Sequence, residues 1–532
     1  PQPLIEAVAL LRGKSVELTP GLPGSQLKSQ LPLFLTQATG EEERQLSAPP
    51  PRFVLFVLTD GNGRQLFVYA VVFGCAAGEV AALCVVSRAR CYPTPFRDVL
   101  VHLLRTASPS ANGDATAAPG AEASLLRVLR ALPCLVAPTP RVALRLELPR
   151  GGGGCTFGAP TAGHPPPADA MMWDLLHCVG VDGVLTLWHA LLLERSVLLV
   201  SDTPALLGAS CEALRALLHP LRWECTYVPL LPRSLLTFLE APTPFLMATQ
   251  RRFLAERAAE LDTAAILVAD LDYGRLRYGA AFGKLPPLPR DPLPYLAPLP
   301  PLLHARAAAT TLGPATRDVK VLSQQRNTAT AQYCFLRLLA ATLQPAALRS
   351  AINARPGAAA LERCDWDGYA RAQPSKGQPF YAELRGTQAM SRLVEDMSEG
   401  STLFDHWSDG APAVPAAPPP VAATLSVPLA DEPPSPRTTT AEGLEPGGSG
   451  KTDGGDAAAA DGGDAAAEGL QLRLSSCTTA LGDCDDRRPA ADRGWSWERL
   501  WKSLTPNKGD AASDGGAAHP DGSDGDHPSA AA

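Results

Sequence analysis

The sequence predicts a layered α/β protein followed by an all-helical unit and an acidic tail, and three observations carry that expectation. Between Leu185 and Ala248 apolar helical runs and apolar strands alternate without a polar break, as in a sheet covered by helices on both faces. Upstream, two strand-like runs meet at Asp60-Gly61-Asn62-Gly63, where Asn-Gly is a strong hairpin signal. Beyond Trp407 large apolar side chains become rare and acidic ones accumulate.

In chain order, RFVLFVLTDGNGRQLFVYAVVFG alternates well enough for two strands and their turn. ALCVVSRARCYPTPFRDVLVHLL then gives a strand, a turn and an amphipathic helix. Two Gly/Pro/Ala-rich stretches, residues 108–123 and 150–170, have the composition of linkers. Leu185 to Leu193 is helical, and Glu194-Arg195 is a polar step before the strand SVLLVS. Ser201 or Asp202 can cap the next helix, which has Pro204 in its first turn and Leu206, Leu207, Leu214, Leu217 and Leu218 along one stripe.

Pro220 stops that helix. In the strand CTYVPLL, Pro229 implies an edge position, a bulge or a strand end, because proline donates no ladder hydrogen bond. PRSLLTFLEAP is a short third helix closed by Pro242 and Pro244, and FLMA and AAILVADLDYG are further strands. KLPPLPRDPLPYLAPLPPLL favours extended polyproline geometry as a stiff connector, with an SH3-type or WW-type ligand as the other reading. TATAQYCFLRLLAATL and PFYAELRGTQAMSRLVEDM are helical by period.

The order and spacing of these pieces resemble the DENN family, whose members activate Rab GTPases. The resemblance rests on Leu193-Glu194-Arg195, Val197 to Ser201, Glu212-Ala213-Leu214, Pro220 with Trp223, Tyr227-Val228-Pro229 with Pro232, and Ala241-Pro242-Thr243-Pro244-Phe245. Upstream, Thr59-Asp60, Gly63, Cys84, Ser87 and Phe96-Arg97 are similar to the family's longin-like module. Downstream, Phe380, Leu384, Thr387-Gln388 and Leu393 look like its helical module. The resemblance covers roughly residues 50–400, and Ala248 departs from it where glycine is common.

It implies a longin-like α/β module at 1–107, a linker at 108–123, and a three-layer α/β central module at 124–280 with its Gly/Pro-rich insertion at 150–170. A Pro-rich connector at 281–325, a helical module at 326–407 and a disordered acidic tail at 408–532 complete that division. The chain begins at Pro1 rather than at methionine, as a truncated N-terminus would.

Composition agrees with several modules: 532 residues leave room for ~3 to 4 domains. Residues 408–532 hold 20 Asp+Glu against 9 Lys+Arg, a net −11, while the remainder carries 38 Lys+Arg against 34 Asp+Glu, a net +4. Such a tail buries too little apolar surface to offset chain entropy. Inside it, RGWSWERLWKSLTP aligns Trp497, Leu500, Trp501 and Leu504 on one helical face with Ser496 as N-cap, a short amphipathic helix near 496–504. That helix is read as docking on the folded body or a partner, as touching a membrane surface, or as incidental composition.

The net charge of −7, without a Lys/Arg stripe, argues against nucleic acid as partner. The apolar stretch around Val184–Val200 is interrupted by Glu194-Arg195 and reads as two core elements rather than a membrane span. The 12 cysteines are scattered without a CxxC pair, as buried thiols in a reducing cytosol would be. Gly450-Lys451-Thr452 resembles a phosphate loop, but Glu445 stands at its first glycine position and no strand precedes it. Ser210 lacks the surroundings of a nucleophile elbow, and the nine histidines form no HExxH. Neither metal, cofactor nor chemical step is expected.

What the resemblance implies instead is a guanine nucleotide exchange factor in vesicle trafficking, cytoplasmic and recruited to endomembranes. It would bind the nucleotide-free or GDP form of a Rab-type GTPase and open its switch regions. The alternative is a DENN-type scaffold that binds GTPases without promoting exchange. Ser201, Asp202, Arg222, Trp223 and Gln250 are the candidate contacts, while Ser201 or Asp202 can equally be a cap, Trp223 core and Gln250 solvent-exposed. Glu194, Arg195, Glu212, Pro220, Tyr227, Pro229, Pro232, Pro242 and Pro244 are the family-motif positions, expected to be mainly structural.

Overall fold

The structure is a computed structural model that describes residues 3–18, 24–36, 51–59, 64–74, 80–90, 92–107, 132, 135, 137–139, 142–147, 154–159, 172–303, 317–352, 364–399 and 423–428. The turn at 60–63, the linker at 108–123 and the helix expected at 496–504 lie outside these residues.

The upstream unit is an antiparallel sheet of β1 (Ala7–Arg12), β2 (Ser15–Leu18), β3 (Arg52–Thr59), β4 (Gln65–Gly74) and β5 (Val80–Ser87), in the order β2-β1-β5-β4-β3. The expected hairpin is present: β3 pairs with β4 along its length up to Thr59 opposite Gln65. The first residues of the chain, which the family pattern does not cover, join this sheet through β1, seated beside β5. Helices α1 (Gly24–Leu35) and α2 (Pro93–Ala107) cover it. Tyr69 pairs with Leu55, so Tyr69 and Phe56 face opposite sides. Phe34 stacks on Phe56 at 4.6 Å on one side, and Phe96 of α2 meets Tyr69 at 4.5 Å on the other.

A small second sheet holds β6 (Val142–Glu147) and β7 (Gly154–Phe157), the latter inside the stretch expected to be a linker. Gly154-Cys155-Thr156-Phe157 becomes a strand because Phe157 finds a buried place against Tyr92 and Phe96, at 5.2 and 5.1 Å. Within the stretch assigned to the tail, Ala423–Pro428 is a strand, parallel to β6.

The central unit begins with α3 (Met172–Leu192), broken at Gly180, whose φ of 71° belongs to glycine. By length and composition α3 could cross a membrane, but more than half of its apolar window is buried inside the protein. After it come β8 (Val197–Ser201), α4 (Pro204–Leu217), β9 (Thr226–Leu231), a 3-10 helix (Arg233–Glu240), β10 (Phe245–Gln250), α5 (Arg251–Glu256), β11 (Leu267–Asp270) and β12 (Arg275–Tyr278).

The strands order as β12-β11-β8-β10-β9, parallel except for β12. Alternation decides what each face meets. Val197, Leu199, Leu246, Ala248, Leu267 and Ala269 join the core that holds α3 and α4. Leu198, Val200, Phe245, Met247 and Val268 join a second core with Leu236 and Leu239 of the 3-10 helix and Phe253 and Leu254 of α5. The result is the expected three-layer α/β arrangement. Pro229 sits on an edge strand, and the β9–β10 register slips between Met247 and Thr249, at the unusual Ala248.

The helical unit comprises α6 (Leu293–Leu296), α7 (Arg317–Leu343), α8 (Pro345–Ile352), α9 (Trp366–Arg371), α10 (Gln378–Leu384) and α11 (Gln388–Ser398). Two expectations change here. Helix α7 starts inside the expected connector, and the periodic run 379–397 is two helices, because Thr387 turns extended and caps α11 through Met390 N–H at 3.2 Å. The Pro-rich stretch is seated rather than free: Pro286 and Pro289 are buried three residues apart, as polyproline geometry places them, and Arg290 Nε donates to the carbonyl of Ala341 at 3.1 Å.

Candidate functional site: the carboxyl edge of the central sheet

The connection through α4 carries the chain from β8 past β10 to β9, whereas the connection through α5 carries it from β10 past β8 to β11. The two crossovers diverge at the carboxyl ends of β8 and β10, the place where open α/β sheets meet their ligands. Ser201 and Asp202 stand at the end of β8, Gln250 and Arg251 at the end of β10, and Asp270 and Asp272 at the end of β11.

Arg251 gathers them. Its Nη2 donates to Asp270 Oδ1 at 3.1 Å and to Asp272 Oδ2, its Nη1 lies 3.3 Å from Asp202 Oδ2, and its guanidinium stacks 4.4 Å above the ring of Tyr273. The Ser201 hydroxyl donates to Asp272 Oδ1 at 2.6 Å and accepts the N–H of Thr203 at 2.9 Å. Asp272 Oδ2 also accepts the Asp202 N–H at 2.7 Å, and Asp270 Oδ1 accepts the N–H groups of Asp272 and Tyr273 at 3.1 and 3.2 Å. Burial pushes the Asp270 carboxyl above its usual range, with the Arg251 charge opposing.

Three carboxylates around one guanidinium fix the edge, and Arg252 and Arg275 stand close by, beside Asp202 and the Tyr273 ring. Arg251 is nearly enclosed, whereas the side chain of Asp202 is 60% exposed and Tyr273 is 54% exposed. An exposed carboxylate beside an exposed aromatic ring on a rigid base is suited to gripping another macromolecule.

The five expected contact residues fall in different places. Asp202 is on this surface. Ser201 is at the site but fully buried, and it does not cap α4, because Thr203 holds the N-cap position without a side-chain hydrogen bond. Gln250, a candidate contact whose alternative was solvent exposure, is buried, because it ends a central strand whose every residue is enclosed. Trp223 takes the core alternative: its ring is enclosed and its Nε1 donates to the carbonyl of Thr226 at 3.2 Å. Arg222 is exposed and lies elsewhere, 3.6 Å from Asp396 of α11. Sequence reasoning missed Arg251, Asp270, Asp272 and Tyr273. The last three have a signal, Asp-x-Asp-Tyr-Gly closing an apolar strand, and Arg251 has none of its own.

The family-motif residues build junctions between units. Glu194, at φ 48°, accepts the N–H groups of Gln388 and Ala389 at 2.9 and 2.8 Å, so the central unit supplies a carboxylate to the N-terminus of α11. Arg195 reaches Glu383 of α10 at 2.6 Å. Glu212 pairs with Arg215 at 3.1 Å and accepts the hydroxyl of Tyr227, and Arg215 stacks 4.1 Å over that ring and donates to Gln65 Oε1 of the upstream sheet at 3.3 Å. Burial and the Glu212 charge drive the Tyr227 phenol well above its ordinary pKa despite Arg215. Burial works against the Arg215 charge, and Glu212 and Tyr227 overcome it, leaving its pKa raised. Pro220, Pro229 and Pro232 are buried, Pro244 is half-buried and Pro242 is exposed.

Comparison with known proteins matches residues 79–274 to the DENN (AEX-3) domain. Over 82 residues the chain is 37% identical to DENN domain-containing protein 2D of Mus musculus, covering 15% of this chain and 18% of that protein. It is 26% identical over 256 residues to the DENN domain and WD repeat-containing protein SCD1 of Arabidopsis thaliana, covering 44% of this chain and 20% of that protein. It is 34% identical over 101 residues to elicitor of plant defense protein 1 of Verticillium dahliae, covering 19% of this chain and 9% of that protein. The chain thus spans a fifth or less of the length of these relatives. The matched residues hold β8 to β11 with the helices packed on them, so the central unit carries the likeness to the DENN (AEX-3) domain.

Proposed function

We propose that the chain is a guanine nucleotide exchange factor for a Rab-type small GTPase, acting in membrane trafficking and recruited peripherally to endomembranes. The observation that supports this most is the DENN domain across residues 79–274, which ends at the exposed Asp202–Tyr273 surface. Exchange needs no bond to be made or broken. A GTPase releases GDP faster when a partner binds its open, nucleotide-poor form better than its loaded form, and the acceleration is bounded by that difference in affinity.

Such a partner must not yield while it holds a switch segment away from the nucleotide. The ties of Arg251 to three carboxylates, and of Glu194 and Arg215 to the neighbouring units, supply that stiffness. In this reading Asp202 and Tyr273 meet the GTPase, whereas Arg222, between α4 and the start of β9, stands at the opposite edge of the sheet.

The test is release of a fluorescent GDP analogue from a comprehensive Rab panel, with the full chain as catalyst. Acceleration on at least one Rab, together with tighter binding to its nucleotide-free form, is the expected result. Binding to the GTP-loaded form without any release would establish the scaffold instead, and no binding to any member would remove both readings.

A further inference from the structure

The edge of β6 is occupied by a strand from the far end of the chain. Ala423–Pro428 runs parallel to Val142–Glu147 in unbroken register, from Ala423 opposite Val142 to Pro428 opposite Glu147. β7 pairs with the other side of β6, and no other described strand pairs with this one. Without Ala423–Pro428, β6 would present a row of open main-chain donors and acceptors, which invites strand addition.

The segment has the pattern such an edge selects. Thr424-Leu425-Ser426-Val427 alternates polar and apolar residues, and Pro428 closes the strand because proline cannot donate to a ladder. Within β6, Leu144 and Leu146 are buried, so the register of an added strand is fixed by a pleat already packed on the protein. That pleat is anchored: the neighbouring Phe157 packs on Tyr92 and Phe96, and the Tyr92 hydroxyl donates to the carbonyl of Gly158 at 2.7 Å.

We infer that the β6 edge is a strand-docking site which the chain fills with its own residues 423–428, so that the acidic C-terminal segment is latched to the upstream unit. The latch is releasable. Six residues of a parallel edge strand gain a handful of main-chain hydrogen bonds, and ordering those residues costs a comparable amount of entropy. A partner offering an extended segment of the same alternation would compete for the edge and free the tail. The inference is independent of any GTPase.

Hydrogen exchange on the full chain tests it, with the double variant Leu425→Pro, Ser426→Pro. In a parallel edge strand alternate residues donate to the neighbour, so one of two adjacent prolines removes a ladder donor whichever way the alternation falls. In the unmodified chain, amides of 142–147 and 423–428 should be protected. In the variant, both segments should exchange at least tenfold faster while β8, β10 and β11 remain as before. A synthetic peptide of residues 420–430 added to the variant should restore protection at 142–147. Unchanged exchange at 142–147 in the variant overturns the proposal, as does an unprotected 423–428 in the unmodified chain. Protection that grows with protein concentration alongside a dimer would place the strand from a second copy and overturn the intramolecular latch.

Discussion

Gly208 offers a test in which two effects of opposite sign compete. It lies in α4, and a Cβ added there would stand 2.4 Å from the carbonyl oxygen of Leu55 and 2.8 Å from its Cβ. Comfortable contact needs roughly 3.5 Å, so helix and strand would have to part by about 1 Å. Leu55 cannot yield alone, because β3 is held by β4 along its length, with Leu55 opposite Tyr69. Replacing glycine by alanine inside a helix gains about 1 kcal/mol in propensity. Overpacking a closed junction costs typically about 1–3 kcal/mol, and more where main chain rather than a side-chain tip is met. Gly208→Ala should therefore destabilise the contact between the upstream and central units by about 1–2 kcal/mol net. Hydrogen exchange should show β3 and α4 opening roughly tenfold more often, with β11 unaffected. A variant as protected as the parent, or more so, would refute the packing argument and leave propensity as the stronger effect.

Removing the carboxylate in Glu194→Ala strips two charge-assisted hydrogen bonds from a helix N-terminus, worth about 1–2 kcal/mol at this half-exposed position; residues 388–394 should exchange faster while β8 does not. His189 is buried beside Phe380, and burial lowers its pKa to about 4 from 6.5. Between those values the unfolded chain takes up a proton that the folded one refuses, so stability falls as pH drops from 6.5 towards 4, by up to roughly 3 kcal/mol. His189→Gln should flatten that slope in thermal unfolding, and equal slopes would dismiss the assignment. Under the proposed function, Asp202→Asn and Tyr273→Ala should each lower nucleotide release on the responsive Rab at least tenfold, a larger effect than any accompanying shift in unfolding midpoint explains, and full activity in both would move the contact surface elsewhere.

Much of this architecture was legible because burial writes itself into periodicity. Val197 to Val200 are apolar without interruption and lie in a strand covered on both faces, and of the three readings Pro229 allowed, an edge, a bulge or a strand end, the edge is observed. Short strands were not legible in the same way. Gly154–Phe157 and Ala423–Pro428 hold few apolar residues, and their pairing partners are distant in sequence or themselves weakly patterned. The break before α11 was hidden for a related reason: the apolar period runs on through Arg385-Gly386-Thr387, and the stop lies in backbone hydrogen bonding at Thr387. At the carboxyl edge, Ser201 and Asp202 were found because they follow an apolar strand. Arg251 was not, because its role depends on carboxylates brought to it from β8 and β11.

That distinction bears on where a partner can touch the molecule. Most polar motif positions are consumed by assembly: Glu194 and Arg195 hold the helical unit, and Glu212, Arg215 and Tyr227 hold the upstream one. A buried ion pair with one partner removed leaves an uncompensated charge, so substitutions at Glu212 or Arg215 act on folding before they act on anything else. Side chains that discriminate between partners must instead be reachable and tolerant of change. At the carboxyl edge those are Asp202 and Tyr273, which rest on Arg251 without being enclosed by it. Loss of activity from a Glu212 or Tyr227 substitution would consequently say little about the partner surface, whereas loss from Asp202 or Tyr273 with folding intact would locate it.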